Sequence, residues 1–125
     1  MSRSARTLII VATYNERENL PRLIDEIFVH APQVEVLVID DASPDGTGLW
    51  CDEYSRRDPR LHCLHRAGKL GLGTAVLAGL AAAQERDFDY VVNMDADFSH
   101  PPSALPRLLA TLTEPSERPV DVVIG

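Results

Sequence analysis

The sequence predicts an α/β domain with a mostly parallel sheet and helices on both faces, and three observations predict it. Short apolar runs, each the length of a buried strand, recur along the chain. Helix-patterned segments separate them, which is the alternation that right-handed crossovers between parallel strands require. Three of the runs also end in polar residues able to hold a ligand: Thr13-Tyr14-Asn15-Glu16, Asp40-Asp41 and Asp95-Ala96-Asp97. Open parallel sheets bind ligands beyond the carboxyl ends of their strands, so three such endings point to one site at one edge.

The elements follow in order. A first strand over Thr7 to Ala12 leads to a helix from about Glu16 to Val29, whose Leu20, Leu23, Ile24, Ile27 and Phe28 share a face. Asn15 and Glu18 have the spacing of a capping box, which would start that helix directly beside the first strand's polar end. A second strand, Val34 to Asp40, precedes a helix opened by Ser43-Pro44 that runs through Leu49, Trp50 and Tyr54 to Arg57, before Asp58-Pro59. The third strand, Leu61 to His65, enters the glycine-rich Gly68-Lys69-Leu70-Gly71-Leu72-Gly73, and an Ala-rich helix continues to about Arg86. The fourth strand is Asp89 to Met94, the next helix runs from Pro102 to about Leu112, and a fifth strand covers Val120 to Ile124.

At 125 residues, 45% of them hydrophobic, the chain can bury one core and is expected to be a single domain, residues 1–125. Its formal charge of −7 and pI near 4.9 argue against a nucleic-acid binder, which lives off phosphate contacts and is usually basic. Lys69 is the only lysine, and the arginines are scattered. Apolar runs fall well short of the roughly 18 residues of a membrane span, and Arg3 and Arg6 before a short run make a poor signal peptide. A cytosolic chain is expected. Cys51 falls on a helix and Cys63 on a strand, neither with a second Cys at metal-ligand spacing in sequence, so both are expected as buried reduced thiols.

Asp95-Ala96-Asp97 carries the most chemistry. A strand end can send one carboxylate forward while the following turn returns the other to the same point, and two hard oxygen ligands suit Mg²⁺ or Mn²⁺ bound to a diphosphate. Taken alone, the triplet is also compatible with a solvated acidic turn. The glycine segment resembles two phosphate motifs and fits neither. Val76 stands where the dinucleotide fingerprint needs its third glycine, and Leu70 and Leu64 stand where a P-loop needs Ser/Thr and Gly. Either a close-packing turn or a loop bringing Lys69 toward phosphates accounts for it.

Four segments resemble the family 2 glycosyltransferases: Ala-Thr-Tyr-Asn-Glu-Arg-Glu-Asn-Leu at 12–20, Ile-Asp-Asp-Ala-Ser-Pro-Asp-Gly-Thr at 39–47, Lys-Leu-Gly-Leu-Gly at 69–73 and Met-Asp-Ala-Asp-Phe-Ser-His-Pro-Pro at 94–102. Within that family they are most similar to the polyprenol-phosphate (dolichol-phosphate) mannosyltransferases. The resemblance implies a GT-A (Rossmann-like) fold, here as a truncated domain holding the donor half. It implies that Tyr14 and Glu16 lie against guanosine, with Ala12 in place of the family's usual proline. It implies that Asp41 contacts the base, that Ile39 lines the pocket and that Asp40 is structural. Asp95 and Asp97 match the metal and diphosphate ligands, with Ala96 between them, and Ser99 falls where some members offer a further ligand. His100, beside the site, reads as a loop or capping residue.

The function implied is metal-assisted, inverting transfer of mannose from GDP-mannose to a polyprenyl or dolichyl phosphate. Divalent metal would stabilise the departing diphosphate, and an acceptor phosphate, already ionised, needs no catalytic base. That agrees with a sequence lacking a Ser-His-Asp or Cys-His constellation. The lipid acceptor implies a peripheral place at the cytoplasmic membrane face. Alternatives are another donor such as UDP-glucose, a nucleotide-sugar-binding fragment without turnover, and a phosphoacceptor receiver. The receiver places its acidic pair after the first strand and a lysine after the fifth, whereas here the pair follows the second strand and Lys69 is mid-chain. Acceptor-binding residues are expected beyond Gly125, so residues 1–125 alone are expected to bind donor without efficient transfer.

Overall fold

The computed structural model describes residues 6–14, 17–66, 72–96, 101–112 and 121–124, with the side chains of 72–73, 111–112 and 121–124 left aside. Five strands, β1 (Thr7–Thr13), β2 (Glu35–Asp40), β3 (Leu61–His65), β4 (Tyr90–Asp95) and β5 (Asp121–Ile124), form one sheet in the order β3-β2-β1-β4-β5. Every pairing is parallel. The helices are α1 (Leu20–His30), α2 (Thr47–Arg57), α3 (Leu72–Glu85) and α4 (Leu105–Leu112), the last preceded by a 3-10 turn over Pro102–Ala104.

Alternation along each strand divides the core between two faces. Ile9 and Val11 of β1, Val36 and Val38 of β2, and Val92 and Met94 of β4 meet Leu23, Ile24 and Ile27 of α1, Cys51 of α2 and Leu105 and Leu109 of α4. On the other face Leu8, Ile10, Leu37, Ile39 and Val91 meet Ala75 and Ala83 of α3. Gly79 lets α3 approach closely: a Cβ there would lie 2.3 Å from Ile10 Cδ1. Successive strands run outward from β1 to β3, then restart beside β1 with β4. The order therefore reverses between β1 and β4, where doubly wound sheets open their ligand crevice.

Three expectations are corrected. The first helix begins at Leu20 rather than near Glu16; its N-cap is Asn19, without a side-chain cap bond, and Asn15 of the expected Asn15–Glu18 box lies outside the described residues. Pro21 is the reason, because inside a longer helix it would lack the N–H owed to the carbonyl four residues back and clash with it, whereas the first turn tolerates it. The second concerns the crossovers. α1 and α2 lie on one face and α3 on the other, so the first three share one hand, but α4 returns to the α1 face and its connection from β4 to β5 has the opposite hand. Leu105 and Leu109, 2% and 6% exposed, cover Val92 and Met94 there, and that burial decides the face.

The second helix also starts late, at Thr47, because Ser43 to Gly46 form a tight turn with Ala42 at φ 53° and Gly46 at φ 90°. Left-handed backbone is costless for Gly46 and a strain of about 1 kcal/mol or more at Ala42.

Candidate functional site

Strand register builds the site. Ala12 of β1 pairs with Ile39 on one side and Asp95 on the other, and Thr13 pairs with Asp40. The ends of β1, β2 and β4 therefore finish level, and everything after them, Tyr14, Asp41 and Ala96, emerges at one edge.

Asp40 holds that edge together. It is 2% exposed; its Oδ1 accepts from Thr13 Oγ1 at 2.9 Å and Ser43 Oγ at 2.6 Å, and its Oδ2 from the Ser43 N–H at 3.1 Å. These bonds tie the turn after β2 to the end of β1, the structural part expected for Asp40. Asp45 repeats the device. It accepts from the Arg17 N–H at 3.0 Å and from the Thr47 N–H at 3.1 Å and Thr47 hydroxyl, joining the β1–α1 connection to the start of α2. Burial pushes its carboxyl up, but these donors outweigh it and leave the pKa lowered.

Asp41 has a partner the sequence reading did not name. Arg66 Nε and the second guanidinium nitrogen reach the two Asp41 oxygens at 2.6 and 2.8 Å, a fork-to-fork pair with side chains only 10% and 9% exposed. A third guanidinium N–H goes to Thr74 Oγ1 at 2.9 Å, and the Asp41 hydrogen bonds keep Arg66 firmly charged by raising its pKa. The missed signal was position: Arg66 directly follows the end of β3 at the same sheet edge, and its own N–H bonds the Asp40 carbonyl at 2.8 Å.

Tyr14 is 38% exposed at the rim, while Ile39 is fully buried beneath α3 and underlies the site from the core rather than facing solvent. Ala12 is half-buried and Ala96 buried. Glu16, Asp97, Ser99, Lys69 and His100 lie outside the described residues. Asp95 is half-buried at the end of β4 and, among the described residues, its carboxylate has no hydrogen-bond or ion-pair partner. A half-buried carboxylate at a strand end offers hard oxygens of the kind that Mg²⁺ and Mn²⁺ take.

The family model for glycosyl transferase family 2 matches residues 8–125. The chain belongs to glycosyl transferase family 2. A curated family relative, undecaprenyl-phosphate mannosyltransferase of Micrococcus luteus, is 49% identical over 120 residues, covering 96% of this chain and 47% of the relative. Polyprenol monophosphomannose synthase of Mycolicibacterium smegmatis is 52% identical over 105 residues, 83% of this chain and 40% of its own length. Dolichol-phosphate mannosyltransferase of Pyrococcus furiosus is 37% identical, with 94% and 32% covered. The chain thus spans less than half the length of these relatives. Among solved structures, the mannosyltransferase PcManGT from Pyrobaculum calidifontis, in complex with GDP-Man and Mn²⁺, superposes with a TM-score of 0.71 at 28% identity over 88% of this chain and 33% of that one. S. aureus TarS gives 0.69 at 25% identity, over 84% and 31%. The family 2 fold expected from the sequence, an α/β GT-A sheet with helices on both faces, is therefore the fold observed.

Proposed function

We propose that this family 2 chain is the donor half of a polyprenol-phosphate mannosyltransferase, which moves mannose from GDP-mannose to a polyprenyl phosphate with inversion. The observation that carries this reading is the Asp95 carboxylate, without a hydrogen-bond or ion-pair partner among the described residues and held by register at the same edge as Tyr14 and Asp41, where the strand order reverses. The mannosyltransferase names of the relatives, and the GDP-Man and Mn²⁺ of the solved neighbour, support the donor and the metal.

Asp95, with Asp97 two residues on, would hold Mg²⁺ or Mn²⁺, and Ser99 is a further candidate. When bound, that ion supplies positive charge to the diphosphate leaving group. Tyr14 and Glu16 would flank the guanosine. Asp41 would accept a ring N–H of the base while Arg66 fixes its carboxylate in one orientation, so that the nucleotide meets a preorganised acceptor rather than a mobile one. In the transfer, a lipid phosphate oxygen forms the new bond to the anomeric carbon as the bond to the GDP oxygen breaks and GDP leaves with the electron pair. The acceptor oxygen is ionised at neutral pH, so no side chain has to remove a proton. A peripheral position at the cytoplasmic face of the membrane would give access to such an acceptor.

Calorimetric titration with GDP-mannose, UDP-glucose and GDP, each with Mn²⁺, with Mg²⁺ and without metal, tests donor and ion. Tight GDP-mannose binding only with metal is expected. Metal-independent binding, or preference for UDP-glucose, would overturn the corresponding part.

A further inference from the structure

Among the described residues, a cluster of ligating side chains outside the site just described lies between α2 and the edge strand β3. Cys63 and His65 are two residues apart and share one face of β3, and that face looks onto α2, where Cys51 and Asp52 sit. One ligand atom each from Asp52, Cys63 and His65 falls within 4.8 Å of the others. His65 Nε2 already stands 2.9 Å from Asp52 Oδ1. Cys51 is fully buried on α2, and Cys63 packs against the same core. On the outer side, an open groove of about 280 Å³ reaches His65 and Asp52 past Gly48 and Leu49, so an ion and a water have a way in.

We propose that Asp52, Cys63 and His65 form a binding site for a borderline-soft divalent cation, Zn²⁺ in particular, distinct from the Asp95 site. The donor set decides the metal. A thiolate, an imidazole and one carboxylate oxygen match zinc, whose bonds of about 2.0–2.3 Å set tetrahedral ligand atoms roughly 3.3–3.8 Å apart, whereas Mg²⁺ and Mn²⁺ prefer all-oxygen sites like that of Asp95. The spread seen here closes to that separation with small side-chain rotations. Binding would release the Cys63 thiol hydrogen to solvent, while His65 would ligate through Nε2 as neutral imidazole with its hydrogen on Nδ1. Water fills the fourth position, since His65 and Asp52 are 50% and 40% exposed.

The site also has a structural consequence. A Cβ on Gly48 would lie 2.9 Å from His65 Cε1 and 3.1 Å from Asp40 Oδ2, so α2, His65 and Asp40 pack within one small volume. An ion there would staple the edge strand to α2 directly behind the Asp40 clamp that holds the turn following β2.

The test uses full-length protein, purified under reducing conditions, with excess Mg²⁺ present to occupy oxygen sites, and titrated with Co²⁺ as a spectroscopic substitute for zinc. One equivalent should produce tetrahedral cobalt bands and a thiolate-to-cobalt charge-transfer band, and Zn²⁺ should displace it. Cys63→Ser should remove the charge-transfer band. His65→Ala, at a half-exposed position that folding tolerates, should weaken Co²⁺ and Zn²⁺ by about 10-fold to 100-fold or more. Asp95→Asn should leave the band in place. Absence of the band in the wild-type protein, or its survival in Cys63→Ser with unchanged Zn²⁺ affinity in His65→Ala, would overturn the proposal.

Discussion

Replacing Arg66 and Asp41 singly and together separates orientation of the acidic side chain from direct contact with the nucleotide. Arg66 donates twice to Asp41, at 2.6 and 2.8 Å, with both side chains about nine-tenths buried. Exposed ion pairs contribute up to about 1 kcal/mol, and breaking a fully buried one costs roughly 3–5 kcal/mol. This pair sits near the buried limit but at the rim of a crevice, so Arg66→Ala should cost about 2–3 kcal/mol of stability. In a domain of this size that lowers the melting temperature by roughly 8–12 °C. Asp41→Ala should cost less, because the guanidinium it leaves keeps its bond to Thr74 and can turn toward solvent. The double variant should then be less destabilised than the sum of the singles, by about 1–2 kcal/mol of coupling. Calorimetry adds the functional half. Asp41→Ala should lose about 1–3 kcal/mol for GDP, roughly 5-fold to 150-fold in Kd, with pyrophosphate binding nearly unchanged. Arg66→Ala should lose less for GDP, since the acceptor remains and only its orientation is freed. A coupling indistinguishable from zero would refute the pairing. Equal losses for GDP and pyrophosphate would show that Asp41 acts on the phosphates or on the fold.

Asp95→Asn should weaken metal-dependent GDP-mannose binding about 10-fold to 100-fold without moving the melting temperature, because no partner among the described residues is lost; titration with and without Mn²⁺ reads this. Gly79→Ala should destabilise by about 1–2 kcal/mol, since overpacking against Ile10 exceeds the roughly 1 kcal/mol gain in helix propensity, and Ile10→Val should restore part of the loss. Asp58 shows its effect through pH. Hydrogen bonds from Arg60, at 2.6 to 3.2 Å, hold its carboxyl below the ordinary 3.8, so its stabilisation is present above that value and fades as pH falls through the lower folded value. Asp58→Asn should therefore lose about 0.5–1 kcal/mol at pH 7 and show a shallower decline of stability below pH 3.8, measured by urea midpoints across pH.

The sequence by itself determined the order of strands and helices, their parallel pairing and the edge at which three strands end in polar residues. It could do so because strand and helix periods are local, and because runs such as Val34 to Asp40 and Tyr90 to Met94 pass directly from apolar to acidic at their ends. It also marked Asp40 as structural, a reading the clamp from Thr13 and Ser43 bears out. Tertiary structure decided what depends on residues far apart in the chain. Arg66 looked like one scattered cation until β3 and β2 brought its fork, 25 positions away, against Asp41. Cys63 and His65 met Asp52 only because α2 packs on β3. The face taken by α4 followed from which apolar residues of β4 still needed cover, a question no local pattern contains. Side-chain partners are chosen by packing across the sheet, and packing is a property of the assembled chain rather than of any window within it.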